Sequence, residues 1–308
     1  MQVAGLTTSI TFARRAFAAA LPAVPLKRLR LLLAGEEFDT WETDDLVLKL
    51  PRSQAHAAKI DRELAIQELM IERLGSLVPP IVAVGEPTDV FPFRCIVFER
   101  APGRQGQMND GPIVRPKPWA RGTLARDIGA ALSTLHGTPL RDPRSIGIVG
   151  SGSDFEPIVD ASEDAIAWAS RVAGHAVDAF LVDPIPVGAR PTGSAVLCHT
   201  DLKGEHLFVS EDGGRLTAIV DWADASITDP AVDFAGLAIW LGPSFVREVL
   251  GVYTGPADEG TFHRALFLAR AGLLGYLGAM LEGATTASIP LLDAQLRAAF
   301  SEDVPAKR

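Results

Sequence analysis

The run His199-Thr200-Asp201-Leu202-Lys203-Gly204-Glu205-His206-Leu207-Phe208-Val209 continues through residues 210–215 into Leu216-Thr217-Ala218-Ile219-Val220-Asp221. Residues 207–209 and 216–220 are short apolar runs, and Glu211-Asp212-Gly213-Gly214 between them is a strong hairpin turn. An antiparallel hairpin brings its two open ends together. Asp201 and His206 lie just before the first strand and Asp221 just after the second. Two carboxylates and an imidazole are therefore expected at one hairpin end, although Asp201 and Asp221 are 20 residues apart. A single aspartate commonly does no more than cap a turn. Three such groups converging make a site.

A cluster of this kind can hold a divalent metal and place a base beside it. Phosphoryl transfer needs both: Mg²⁺ to bridge phosphate oxygens and a carboxylate to orient the attacking hydroxyl. On this reading Asp221 is the metal ligand and Asp201 the catalytic base. The chemistry also needs a cation on the phosphates. Residues 46–50 (LVLKL) form a strand that carries Lys49, and residues 59–74 have helical periodicity, with Ile60, Leu64, Ile71 and Leu74 on one stripe. At about 100° per residue Glu63 falls within that stripe. A carboxylate turned toward a core is costly unless paired. Lys49 is the nearest lysine on a neighbouring buried element, so a Lys49–Glu63 ion pair is expected, with Lys49 able to reach an α- or β-phosphate.

Further strands are expected at 81–84 and 94–98, and the stretch 35–45 before the first strand is turn-prone. Ala101-Pro102-Gly103 opens a Gly/Pro-rich segment that runs to Pro118, the best place for a hinge. Beyond it helical patterns dominate: 119–136, with Leu124, Ile128, Leu132 and Leu135 in phase, an Ala-rich 161–181, then 245–250, 262–281 and 291–300. Strands in the first third and helices in the rest give an α+β chain of two domains, 1–100 and 101–308. His136, before Gly137, reads as compensating a helix dipole, and Asp229-Pro230 as a helix start.

The 308 residues carry 29 Lys+Arg against 38 Asp+Glu, a net charge of −9 that argues against a nucleic-acid binder. Of this, residues 1–100 contribute −1 and residues 101–308 contribute −8, which suits a cationic ligand in the second domain. Two cysteines are too few for a disulfide framework. No apolar run approaches the roughly 20 residues of a membrane span. Arg14-Arg15 precedes an apolar run of 11 residues that contains Pro22 and Pro25, a poor export signal. An amphipathic helix over about 8–21 fits better, capped by Thr8 or Ser9, with Ile10, Phe17 and Leu21 on one face. The chain reads as cytoplasmic.

The His199-Thr200-Asp201…His206 and Ile219-Val220-Asp221 elements resemble the catalytic loop and metal-binding segment of the protein-kinase-like antibiotic phosphotransferases. The aminoglycoside and macrolide kinases are the closest in pattern. The similarity extends over Asp229-Pro230-Ala231-Val232-Asp233-Phe234 and residues 124–136, and more weakly over the chain from about residue 33. The resemblance implies a two-lobed fold, a small β-rich N-lobe for the nucleotide and a larger helical C-lobe for catalysis and substrate. It implies ATP or GTP as donor, Mg²⁺, and O-phosphorylation of a small antibiotic. It assigns Lys49 and Glu63 to phosphate positioning, and residues 98–101, with Phe98, Glu99 and Ala101, to the nucleobase. Most members carry Asn where this chain has His206, although macrolide kinases and one branch of aminoglycoside kinases share the His. The loop Ala34-Gly35-Glu36-Glu37-Phe38-Asp39-Thr40 has a single glycine and is not a Walker A motif. An aminoglycoside acceptor leads, followed by a macrolide or a small metabolite. A metal-dependent hydrolase built on His199, Asp201, His206 and Asp221 is the alternative of a different class.

Overall fold

The computed structural model describes residues 9–26, 28–35, 37–89, 91–108, 113–150, 195–281 and 289–301. The Ala-rich pattern at 161–181 lies outside them. The chain divides into two units, Met1–Pro102 with Ala218–Ala223, and Gly103–Thr217 with Asp224–Arg308.

The first unit is built on a five-stranded antiparallel sheet. Its strands are β1 (Arg30–Ala34), β2 (Phe38–Glu42), β3 (Leu46–Pro51), β4 (Ile81–Gly85) and β5 (Cys95–Glu99), in spatial order β1-β2-β3-β5-β4. Side chains alternate between the two faces of a sheet, and this decides where the polar groups go. Leu48 and Leu50 of β3, Trp41 of β2, and Cys95 and Val97 of β5 share one core with Ala13, Ala16 and Phe17 of helix α1 (Ile10–Ala20). Ile96 and Phe98 turn the other way, onto Phe38 and onto Ile60 of helix α2 (Gln54–Leu74). Lys49 stands opposite Ile96 in the ladder and shares that second face.

Several details differ from the sequence reading. The turn-prone stretch 35–45 contains β2, because Phe38 and Trp41 each find a buried place on opposite faces of the sheet. Helix α2 begins at Gln54, capped by the Ser53 hydroxyl, one turn earlier than its apolar pattern. Its buried stripe is Ile60, Glu63, Ile66, Gln67 and Met70, whereas Leu64, Ile71 and Leu74 are only partly covered. The stripe is thus rotated toward Glu63, which lies at its centre. In α1, capped by Ser9, Ile10 is exposed and the packed face is Ala13-Ala16-Phe17, where small residues allow close approach to the sheet.

The second unit is mainly helical. Helix α3 (Pro118–His136) buries Leu124, Ile128, Leu132 and Leu135, and the short α4 (Arg141–Ser145) follows. Strands β6 (Arg104–Gln105), β8 (Leu207–Val209) and β9 (Leu216–Ile219) lie in the order β6-β8-β9, so the expected hairpin forms. A second pair flanks it, β7 (Val196–Cys198) antiparallel to β10 (Ser226–Thr228), too short for a periodicity signal. Helix α5 (Ala231–Leu241) is buried almost all round and packs on α6 (Pro243–Leu250), α7 (Thr261–Leu281) and α8 (Ile289–Ala299). Gly236 of α5 lies so close to the loop after β7 that a Cβ there would strike the Leu202 carbonyl.

Both cysteines are buried and free. Burial pushes the Cys95 thiol up to about 11, and Cys198 is also held well above the ordinary thiol value by burial, next to Asp233 and Asp229. Both are therefore neutral thiols at pH 8. The expected result is that neither reacts with a thiol reagent at pH 8 until the chain unfolds, measured as release of chromophore with and without denaturant. In the same way, what Cys95 adds to stability is whole below the unfolded thiol pKa and is lost as pH rises toward its folded value.

Candidate active site

In the first unit three charged groups meet. The Lys49 ammonium donates to both Glu63 oxygens, at 2.9 and 2.8 Å, and to Asp221 Oδ1 at 2.9 Å. The side chains of Lys49 and Glu63 are 8% and 2% exposed and that of Asp221 is 40%, so the pair is dry and its third partner reaches water. The Phe38 ring, 4.4 Å from the ammonium, completes the cradle. Burial acts to lower the Lys49 pKa, but the two carboxylates outweigh it and the net shift is upward, so Lys49 is a fixed cation. The strand–helix geometry makes this pair: β3 alternation turns Lys49 to the face that α2 covers, and the α2 stripe presents Glu63 to it.

Asp221 has φ 66° and Thr200 has φ 69°, the two non-glycine residues at positive φ among the described residues. Behind Asp221, the buried Trp222 donates its indole N–H to the Ile219 carbonyl at 3.2 Å. Phe98 packs with Phe38, Ile60 and Ile96 on the Lys49 face, while Glu99, exposed, and Ala101, buried, follow at the end of β5.

In the second unit the loop after β7 carries the other half of the expected site. Asp233, wholly buried in the first turn of α5, accepts the backbone N–H groups of His199 (3.0 Å) and Thr200 (2.8 Å). Asp201 then projects with both carboxylate oxygens engaged. Lys203 Nζ lies 3.1 Å from Oδ1, and His206 Nδ1 lies 3.3 Å from Oδ2. Lys203 is anchored on its other side by Glu205 at 3.3 Å. Burial would raise the Asp201 pKa, but His206, Lys203 and His199 outweigh it and hold it below the ordinary value. Asp201 is therefore an ionised, weakly basic acceptor, suited to orienting a hydroxyl. It borders a hollow of about 170 Å³ that is also lined by Thr200 and Lys203, with an apolar wall from Val232, Ile239 and Leu268.

His206 Nδ1 also lies 2.8 Å from the Asp201 carbonyl, which can only accept, so Nδ1 carries the proton. A neutral His206 then has its lone pair on Nε2, the nitrogen a metal would use. Asp221 is a hard oxygen donor, the type Mg²⁺ prefers; the imidazole fits that ion less well.

His136 lies in the last turn of α3, where a dipole-compensating histidine is expected. It is buried, with Nε2 3.0 Å from Asp233 Oδ2 and Nδ1 2.7 Å from the Tyr253 hydroxyl. The carboxylate only accepts, so Nε2 donates, and in the neutral imidazole Nδ1 accepts the hydrogen bond of the Tyr253 hydroxyl. His136, Cys198 and Asp233 come within metal-ligand spacing of one another. Asp233 is committed to backbone amides and Cys198 is a neutral thiol, so the cluster is a packed hydrogen-bond network. Lys203, Glu205, Tyr253 and this use of His136 were not assigned from sequence. Lys203, two residues from Asp201, is the one local spacing could have flagged.

Asp229 supports α5 from two residues before its first, accepting the Ala231 N–H at 2.7 Å. Arg264 of α7 lies with Nε 2.9 Å from Asp229 and donates from Nη1 to Asp258 at 2.8 Å. Its side chain is only 3% exposed. Replacing Arg264 with methionine is expected to cost about 3–5 kcal/mol, because two carboxylates lose their cation. A lowered urea midpoint with unchanged slope is the measurement.

The sequence profile described as "Phosphotransferase enzyme family" matches residues 28–266. The chain belongs to this family. A viomycin phosphotransferase from Streptomyces vinaceus is 37% identical over 78 residues, a match spanning 25% of this chain and 27% of that relative. The chain thus matches about a quarter of the length of this curated relative. Among solved structures, the GDP complex of aminoglycoside 2'-phosphotransferase-IIIa superposes with a TM-score of 0.72 at 18% identity, covering 95% of this chain and 97% of that one. Macrolide 2'-phosphotransferase MphH from Brachybacterium faecium gives 0.66 at 20% identity, covering 97% and 99%. This phosphotransferase-family chain therefore has the kinase-like α+β fold expected, an antiparallel-sheet N-lobe and a helical C-lobe.

Proposed function

We propose that the protein is a nucleotide-dependent O-phosphotransferase that inactivates an aminoglycoside-type antibiotic by phosphorylating a hydroxyl. The observation that carries this reading is the buried Lys49, held between Glu63 and a partly exposed Asp221, an arrangement a hydrolase would not need. Lys49 positions the donor's α- and β-phosphates, and residues 98–101 receive its base. ATP and GTP are the candidate donors, since related structures are described as GDP and ATP complexes. Asp221 would hold Mg²⁺, with His206 Nε2 as a second position; when bound, the ion supplies charge neutralisation to the phosphates. Asp201 accepts the proton of the acceptor hydroxyl. The acceptor's hydroxyl oxygen forms a bond to the γ-phosphorus, and the bridging β–γ P–O bond breaks to release the nucleoside diphosphate.

The net charge of −8 over residues 101–308 supports a cationic acceptor. The apolar wall of the hollow beside Asp201, with Lys203 as a cation there, favours a macrolide as the second reading. A nucleotide-consumption screen of aminoglycosides, macrolides, viomycin and a cell extract, run with Mg-ATP and Mg-GTP in parallel, tests both. Turnover with a single class assigns the acceptor. Turnover only with a cell-extract component indicates a metabolite kinase, and lack of any nucleotide affinity overturns the proposal. Among the described residues no helix is long and apolar enough to cross a membrane; the cytoplasmic site of action belongs to the same proposal.

A further inference from the structure

Thr200 occupies a conformation that a β-branched residue rarely adopts, at φ 69°. Glycine would take that backbone without steric penalty, so the threonine must supply something glycine lacks. Its amide is accounted for by Asp233. Its hydroxyl donates to the Asp224 carbonyl at 2.8 Å. Asp224 stands three residues after Asp221 in the chain, and Thr200 stands immediately before Asp201. One side-chain hydrogen bond therefore links the loop of the proposed base to the segment that follows the proposed metal ligand.

We infer that Thr200 is a positioning residue: its hydroxyl fixes the Asp201 loop against the Asp224 segment, at the expense of a strained backbone. The inference rests on the reading of Asp201 as the base and deepens it. Strain relief and hydroxyl loss are separable by substitution. Thr200→Ser keeps the hydroxyl with a smaller side chain. Thr200→Val keeps the shape and strain without the hydroxyl, and Thr200→Gly removes both.

The experiment measures turnover of Mg-ATP and Mg-GTP by the full chain with water as acceptor, alongside nucleotide affinity and melting temperature. Activity is expected to follow the hydroxyl. The serine variant stays within about threefold of the parent, and the valine and glycine variants lose about 5–20-fold in kcat, the scale of one positioning hydrogen bond. Nucleotide affinity stays within about twofold in all three. Stability is expected to follow strain instead, with Thr200→Gly at least as heat-resistant as Thr200→Val. A residue acting through Asp201 adds no further loss in an Asp201→Asn background. Parental turnover in Thr200→Val, or activity that simply tracks melting temperature, overturns the inference. If Asp201→Asn itself turns over normally, the reading of Asp201 fails and the inference with it; if the parent binds no nucleotide, the phosphotransferase reading fails before either. Impairment of Asp201→Asn beside an unimpaired Thr200→Val refutes the Thr200 role alone.

Discussion

Replacing Asp201 with asparagine lowers phosphate transfer by about 10²–10⁴-fold and leaves Mg-nucleotide affinity within about twofold. The amide keeps the size of the side chain but cannot take the proton from an acceptor hydroxyl. Folding is expected to survive, since Lys203 keeps Glu205 as an anchor and the loop backbone is held by Asp233, not by Asp201. Steady-state kinetics with nucleotide titration separate the two effects. Parental kcat in this variant would show that Asp201 is not the base. A loss confined to nucleotide KM would move its role from the acceptor to the donor.

Replacing Lys49 with methionine is expected to abolish turnover and to destabilise the first unit by about 3–5 kcal/mol. The larger part of that cost comes from Glu63, 2% exposed and left as a buried charge without its cation. Asp221, with its side chain 40% exposed, contributes less because water screens it. The double replacement Lys49→Met with Glu63→Leu is expected to recover most of the stability, since an apolar pair tolerates burial that a lone carboxylate does not, while activity stays lost. Denaturant unfolding and nucleotide turnover on the same three proteins check this. The upward pKa shift of Lys49 adds a sign: its stabilisation is whole below the unfolded lysine pKa and is lost as pH rises through the folded value, so neutral and mildly alkaline solution leave it intact. A single variant as stable as the parent would overturn this account of the buried pair.

Local pattern was enough for the elements that bury one clean face. Residues 46–50 and 94–98 announced β3 and β5 within a residue or two, and 119–136 announced α3, because their apolar positions recur at the period of the structure they form. The ion pair of Lys49 and Glu63 was legible for the same reason: each is a charge on an otherwise buried stripe, and such a charge needs a partner. Among the strands that pattern alone did not carry are β2, β7 and β10. Their side chains are divided between faces that exist only once neighbouring strands are in place.

Composition and periodicity by themselves determined a two-part α+β chain, an acidic second part, a hairpin between Asp201 and Asp221, and a lysine that must meet a glutamate. The tertiary structure alone decided that Asp221 is the second carboxylate on Lys49. It also decided that Lys203 and His206 clamp Asp201, that Asp233 and His136 hold the loop from beneath, and that Thr200 is strained. These contacts join residues whose separation along the chain bears no relation to any helical or strand period. Only the packing of α5 against the loop, and of the 218–223 segment within the first unit, brings them into reach.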